Sequence, residues 1–202
     1  MADATTDEPT FSLPRLQRVV FEVPIQGTSP LIVNRWSEKA KAMMLAAQQT
    51  KARPKKEPKD PVANFEASRY RFEDGRDGFP ATAFKAAIVH ASRLFDGVTQ
   101  VLVKQTVLVI GDGPDQLVPI EYGDITMRED TPRNASGVAD LRYRAQYWPW
   151  STTLRVRTIE GQFDNESILA LVDAAGIGGV GEWRPTSPKS ATGTYGTFEV
   201  AG

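Results

Sequence analysis

The chain has 202 residues, 41% of them hydrophobic and 24% charged, with a formal net charge of −1. That composition is globular and the length suits one domain with its own core. It has no cysteine and a single histidine, His90, which excludes disulfides, thiolate metal sites, a cysteine nucleophile and a multi-histidine centre.

The first ten residues carry Asp3, Asp7 and Glu8 and no apolar run, so they read as a frayed acidic tail ahead of one domain spanning 11–202. No stretch approaches the roughly 18 apolar residues of a membrane helix. A cytoplasmic protein, without membrane contact, is expected.

Val19, Phe21, Val23 and Ile25 alternate with Arg18, Val20 and Glu22, the period of a half-buried strand that resumes through Pro30–Val33. Ser37 then caps a short helix with Ala40, Met43, Met44 and Ala47 on one face. Residues 51–61 hold three prolines and read as an extended loop. From Arg35 to Lys59 the basic residues are Arg35, Lys39, Lys41, Lys51, Arg53, Lys55, Lys56 and Lys59, against Glu38 and Glu57. This one segment is therefore +6 in a chain whose total is −1.

After Gly78-Phe79-Pro80, the residues Phe84, Ala87, Ile88, Ala91 and Phe95 form a helical stripe that Gly97 stops. Lys85, His90 and Arg93 lie off it. Val101–Ile110 is apolar and β-branched and predicts a central strand, followed by a turn at Gly111–Pro114 and a strand over Leu117–Met127. Residues 128–147 predict a long excursion, hairpin or loop, with Arg128, Arg133, Arg142, Tyr143, Arg144 and Tyr147. Trp148 and Trp150 flank the next strand, which spans Thr152–Ile159. There Leu154 and Val156 alternate with Arg155 and Arg157. Asp164 or Asn165 caps a helix that Gly176 ends, a glycine-rich run reaches Arg184, and Tyr195–Val200 predicts the last strand.

Without its insertions, at about 34–78 and 128–147, this order is close to βαββαβ. It predicts an α+β, ferredoxin-like or RRM-like antiparallel sheet with two helices on one face and the other face free. The run Gly78–Ala87, the placement of the two insertions, and Gly176–Arg184 with Gly193–Phe198 together resemble the RAMP superfamily, specifically the backbone subunit of CRISPR effector complexes. Ser29-Pro30-Leu31-Ile32 and Gly181-Glu182-Trp183-Arg184-Pro185 also resemble a group of small phage proteins. The resemblance implies a phage-encoded protein, in the host cytoplasm, that polymerises along single-stranded RNA or DNA, with finger-like and thumb-like insertions. It implies nothing about cleavage, and no residue pattern carries over a catalytic position, so a non-catalytic protein is expected.

The residues themselves give the contacts. A basic loop can follow phosphates, and each phosphate it neutralises releases a counterion. Arg128, Arg133, Arg142 and Arg144, with Tyr143, combine guanidinium forks with a flat ring. Lys85, Trp183 and Arg184 join this set. Arg155 and Arg157 either floor a binding face or pair with acids on a neighbouring strand. Trp148 and Trp150 read as core or turn residues, and the glycine run reads as close packing at least as readily as a phosphate cradle, since it matches neither a Walker loop nor a dinucleotide fingerprint. No cofactor or metal is expected. Two rival readings are a phage particle assembly protein, whose basic arms hold acidic neighbours or DNA, and a RAMP-type endoribonuclease using His90.

Overall fold

The computed structural model describes residues 12–36, 42, 45–46, 48, 60–132, 139–188 and 191–202. The acidic tail and nearly all of the 37–59 segment lie outside them. Of the helix expected after Ser37, Ala42, Leu45, Ala46 and Gln48 are helical.

The fold is α+β, a mixture of antiparallel sheet and helices. Its axis is one 18-residue strand, β8 (Arg142–Ile159). The second half of β8 pairs with β1 (Arg18–Gly27) on one side and β5 (Leu108–Ile110) on the other. β1 pairs in turn with β9 (Phe198–Val200). The first half of β8 lies between β2 (Leu31–Val33) and β7 (Glu121–Asp130). All these pairings are antiparallel. A second sheet runs β3 (Tyr70–Arg71), β4 (Asp77–Pro80), β6 (Leu117–Pro119).

Helices α2 (Ala81–Ala91) and α4 (Asn165–Gly178) pack on each other and on one face of the β5-β8-β1-β9 sheet. The period-two pattern decides which face: Val23, Ile25, Val109, Leu154 and Val156 are buried beneath the helices. Phe84 of α2 is fully buried and meets Phe79 and Phe198 edge-on, at ring centroid distances of 5.6 and 6.1 Å.

The structure corrects several sequence expectations. The β-branched stretch Val101–Ile110 is not one strand. Gln100–Thr106 forms α3, because the Thr99 side chain accepts from the Leu102 amide at 3.1 Å, and only Leu108–Ile110 is strand. A cap and the burial of Val103 outweigh local propensity here. Pro61 does not extend the loop. It sits in the first turn of α1 (Pro61–Ser68), where its missing N–H costs nothing, and the Asp60 carboxylate caps the Ala63 amide at 3.0 Å. Of the two forms open for the 128–147 excursion, hairpin or loop, the hairpin occurs: residues 128–130 of β7 pair with 142–144 of β8. Gly176 does not end its helix, which continues to Gly178, and the last strand begins only at Phe198.

One buried carboxylate ties the two sheets together. Asp77, 3% exposed, accepts from Arg69 (Nε at 3.1 Å, Nη2 at 2.5 Å), from Tyr147 Oη at 3.1 Å and from Tyr122 Oη at 2.6 Å. These donors come from the residue after α1, from β8 and from β7. Burial alone would raise the Asp77 pKa, but the Arg69 and Tyr122 hydrogen bonds and the Arg69 charge outweigh it and hold the carboxyl below its usual range. The same burial, together with the Asp77 charge, raises the Tyr147 phenol.

Asp77→Asn should destabilise the protein by about 3 kcal/mol at pH 7, because it takes the nearer of its two carboxylates from the partly buried Arg69 and leaves Glu66 alone to pair with it. A carboxyl whose pKa is lowered on folding stabilises above its unfolded pKa of about 3.9, and that contribution is lost as pH falls through the folded value. Denaturant titrations of the wild type and variant should therefore differ at neutral pH and converge in acid below about pH 4.

Candidate nucleic-acid interface

A groove of about 460 Å³ opens where the second sheet, α2 and the glycine-rich segment meet. Asn34 and Tyr70 form one end, Phe79, Pro80, Thr82, Ala83 and Ala86 the floor, and Gly179–Glu182, Arg184 and Thr186 the opposite wall, with His90 at the far end. The N-cap residue of α2 is Pro80, and no side chain caps the helix. Thr82, Ala83, Ala86, Ala87 and His90 all line the groove, which therefore runs along the side of α2 from its first turn, where the positive end of the helix dipole lies.

The outgoing end of the +6 segment is fixed beside this groove, and its returning end is fixed as the cap of α1. At the outgoing end, Asn34 lines the groove and the Arg35 amide donates to the Ser68 carbonyl at 2.8 Å. Burial pushes the Tyr70 phenol up and the Arg35 charge pulls it partly back, which places that guanidinium next to the groove. At the returning end, Asp60 caps α1, whose last residue is Ser68.

The wall formed by residues 179–186 is shaped by close packing. A Cβ on Gly176 would lie 1.8 Å from the Phe198 carbonyl oxygen, so α4 and β9 touch only because that residue is glycine. Gly181 has φ of +78°, and its Cβ would lie 2.5 Å from the Ile32 carbonyl oxygen, which accepts from the Glu182 amide at 2.9 Å. The Ser29–Ile32 and Gly181–Pro185 motifs, 150 residues apart in the chain, are therefore in contact.

A second buried carboxylate holds the wall to the β7–β8 hairpin. Asp130, 5% exposed, accepts from Arg128 Nε at 2.8 Å, Arg144 Nη1 at 3.0 Å and Trp183 Nε1 at 3.2 Å. Arg144 also pairs with Glu182 at 3.3 Å. Arg128 donates to Tyr195 Oη at 3.1 Å and lies over that ring, 4.6 Å from its centroid. Trp183 has φ of +57°, a left-handed conformation disfavoured for a bulky residue, and its indole bond helps to fix it.

The structure redistributes the residues expected to contact a strand. Arg144 is 2% exposed and doubly paired, so it is a structural residue and cannot reach a strand from the surface. Arg128 is engaged by Asp130, Gln146 and Tyr195. Trp183 is committed to Asp130, and Arg142 pairs with Asp140 at 3.1 Å while keeping 42% exposure. Tyr143 is half-buried opposite Glu129. Of the open alternatives for Arg155, pairing is what occurs, with Asp112; Arg157 stands between Val20 and Leu108 with no ion pair among the described residues. Arg184 lines the groove, donating to the Gly181 carbonyl at 2.7 Å. Lys85 lies on α2 and Arg35 at the groove mouth, with an ion pair to Asp115 at 3.6 Å. Lys39, Lys51, Arg53, Lys55, Lys56, Lys59 and Arg133 lie outside the described residues. Trp150 is core, its indole donating to the Ser29 carbonyl at 2.8 Å, while Trp148 is 43% exposed.

Sequence reasoning missed Asn34, Tyr70, Thr82, Glu182 and Thr186 as groove residues. A signal existed for Thr82, in the uncapped helix start after Pro80. Asn34 and Tyr70 are brought in by strand pairing and carried none. Asp77 and Asp130 each sit in a strand that local pattern leaves ambiguous.

No family model matches the chain, and no curated protein does. Among solved structures, the crystal structure of Cmr6 from Pyrococcus furiosus is similar at a TM-score of 0.44 and 10% identity, over 92% of this chain and 98% of that one. At that score and identity the likeness decides nothing about function.

Asp130→Ala should cost about 3 kcal/mol of stability, because the buried Arg144 keeps only the half-exposed Glu182 as a charge partner. Hydrogen exchange should show faster opening across residues 180–186 and at Tyr195, whose amide donates to the Trp183 carbonyl at 3.1 Å. The Asp77 shell should keep its protection.

Proposed function

We propose that the protein binds single-stranded nucleic acid without cleaving it, with the phosphate backbone running along the groove between the α2 N-terminus and Arg184 and out onto the 35–59 arm. The observation that carries this reading is the placement of charge. A chain of net charge −1 concentrates +6 in one segment, and that segment leaves from the groove at Asn34 and Arg35.

The opposite sheet face, the alternative floor, is balanced. Arg18, Arg155 and Arg157 stand among Glu22, Asp112 and Glu199, with Arg155 paired to Asp112 and Glu199 accepting from Gln26. A balanced face gives little counterion release and little phosphate affinity.

The RAMP reading of the core is part of the same proposal. Strand order β5-β8-β1-β9, with two helices on one face, is the ferredoxin-like split plan once the insertions are set aside. The insertions fall between β1 and α2 and between β5 and β8, where the resemblance expects finger and thumb. The reading extends to a phage-encoded, cytoplasmic protein that self-assembles along its strand, and no helix of the described residues is long and apolar enough to cross a membrane. Binding without cleavage is part of the proposal, with His90, which lines the groove, as the residue whose replacement tests it.

Fluorescence anisotropy with labelled single-stranded RNA and DNA, titrated over salt, tests this. Tight binding should weaken with salt. The combined Lys55→Ala/Lys56→Ala variant should lower the slope of log affinity against log salt by about 1.4 for two phosphates, and Arg184→Ala by about 0.7. Salt-independent or absent binding would overturn the reading. RNA cut by the wild type and left intact by His90→Ala would overturn the non-catalytic part alone.

A further inference from the structure

Next to the groove is a smaller cavity of about 310 Å³, lined by Ala87, Ala91 and Leu94 from α2 and the following turn and by Ala174, Ile177 and Gly178 of α4. It is adjacent to the groove, since Ala87, His90 and Thr186 line both. Its walls differ from the groove's. Small aliphatic side chains of two packed helices face one another across a slot, and Pro185 closes it. Leu94 and Ile177 stand on opposite jaws at 65% and 67% exposure, among the most exposed large aliphatics described. The polar side chains among its lining are Arg93, His90 and Thr186. Arg93 spends one donor on Gln100 and Thr186 donates to the Gly178 carbonyl at 2.8 Å, so both retain hydrogen-bonding capacity.

We infer that this slot receives one unstacked nucleobase of the strand whose phosphates occupy the groove. The inference rests on the strand-binding reading above. A nucleobase has flat apolar faces and a polar edge, which match aliphatic jaws and polar side chains in one lining. An aliphatic side chain from a protein partner would use the jaws and leave Arg93, His90 and Thr186 idle. The shared residues put the slot next to the phosphate path, within reach of a base on the same strand. Burying the base between Leu94 and Ile177 removes both side chains from water, a gain proportional to the apolar area covered.

The test compares a labelled 12-nucleotide single strand with the same strand lacking one base at a central position, on the wild type and on Leu94→Ser/Ile177→Ser. Both substituted residues are exposed, so the variant folds. The intact strand should bind the wild type about fivefold more tightly than the abasic strand, a factor in keeping with partial burial of one base. The variant should bind the two strands alike, with the wild type's salt slope. A 2-aminopurine at that position should change its emission on binding the wild type but not the variant. Equal binding of intact and abasic strands by the wild type, at normal salt dependence, would overturn the slot and leave the groove standing. Loss of abasic binding as well in the variant would assign the jaws to something other than a base. No binding of either strand by the wild type would remove the strand-binding reading itself.

Discussion

Asp77 is the point on which the rest of the architecture hangs. A carboxylate cannot be buried without compensation, since desolvation costs several kcal/mol for a lone ion. Here one guanidinium and two phenols supply it, and each donor comes from a different element. Satisfying Asp77 therefore fixes the chain after α1, the start of β4, the outer strand β7 and the middle of β8 relative to one another. β4 leads directly into α2, so the same carboxylate sets where the α2 N-terminus points. The groove inherits its floor from that placement.

Asp130 repeats the device at the other end of the hairpin. Arg128, Arg144 and Trp183 converge on it, and Arg144 extends to Glu182. The hairpin and the glycine-rich wall are thus one polar unit beneath a surface that looks basic in sequence. The two carboxylates divide the work: one orients the floor and the other holds the wall. The cations left for a ligand are those the carboxylates do not claim, chiefly Arg184 and the arm.

Much of the framework could be read from the sequence because it depends on local pattern. The alternation in Val19–Ile25 and Leu154–Val156, the stripe Phe84–Ala91 and the Asp164 cap all carried over into elements. The failures have a common cause, which is that tertiary partners decided. Val101–Thr106 is helical because Thr99 caps it, and Pro61 starts a helix because Asp60 precedes it. The larger difference concerns Arg128, Arg142 and Arg144. Sequence shows their charge, but only the fold shows that Asp130, Asp140 and Glu182 neutralise it. Charge in the arm could be weighed better, because eight basic residues against two acidic ones leave a surplus that neighbours within the segment cannot cancel.

The account turns on which surface holds the strand, and ultraviolet cross-linking followed by peptide mass spectrometry reads that directly, with a photoreactive single-stranded oligonucleotide. Cross-links should fall on peptides containing Tyr70, Thr82–Lys85, Trp183–Thr186 and residues 51–59. Cross-links on the open sheet face, at peptides containing Val20, Leu108 or Arg157, with none in the groove, would contradict it.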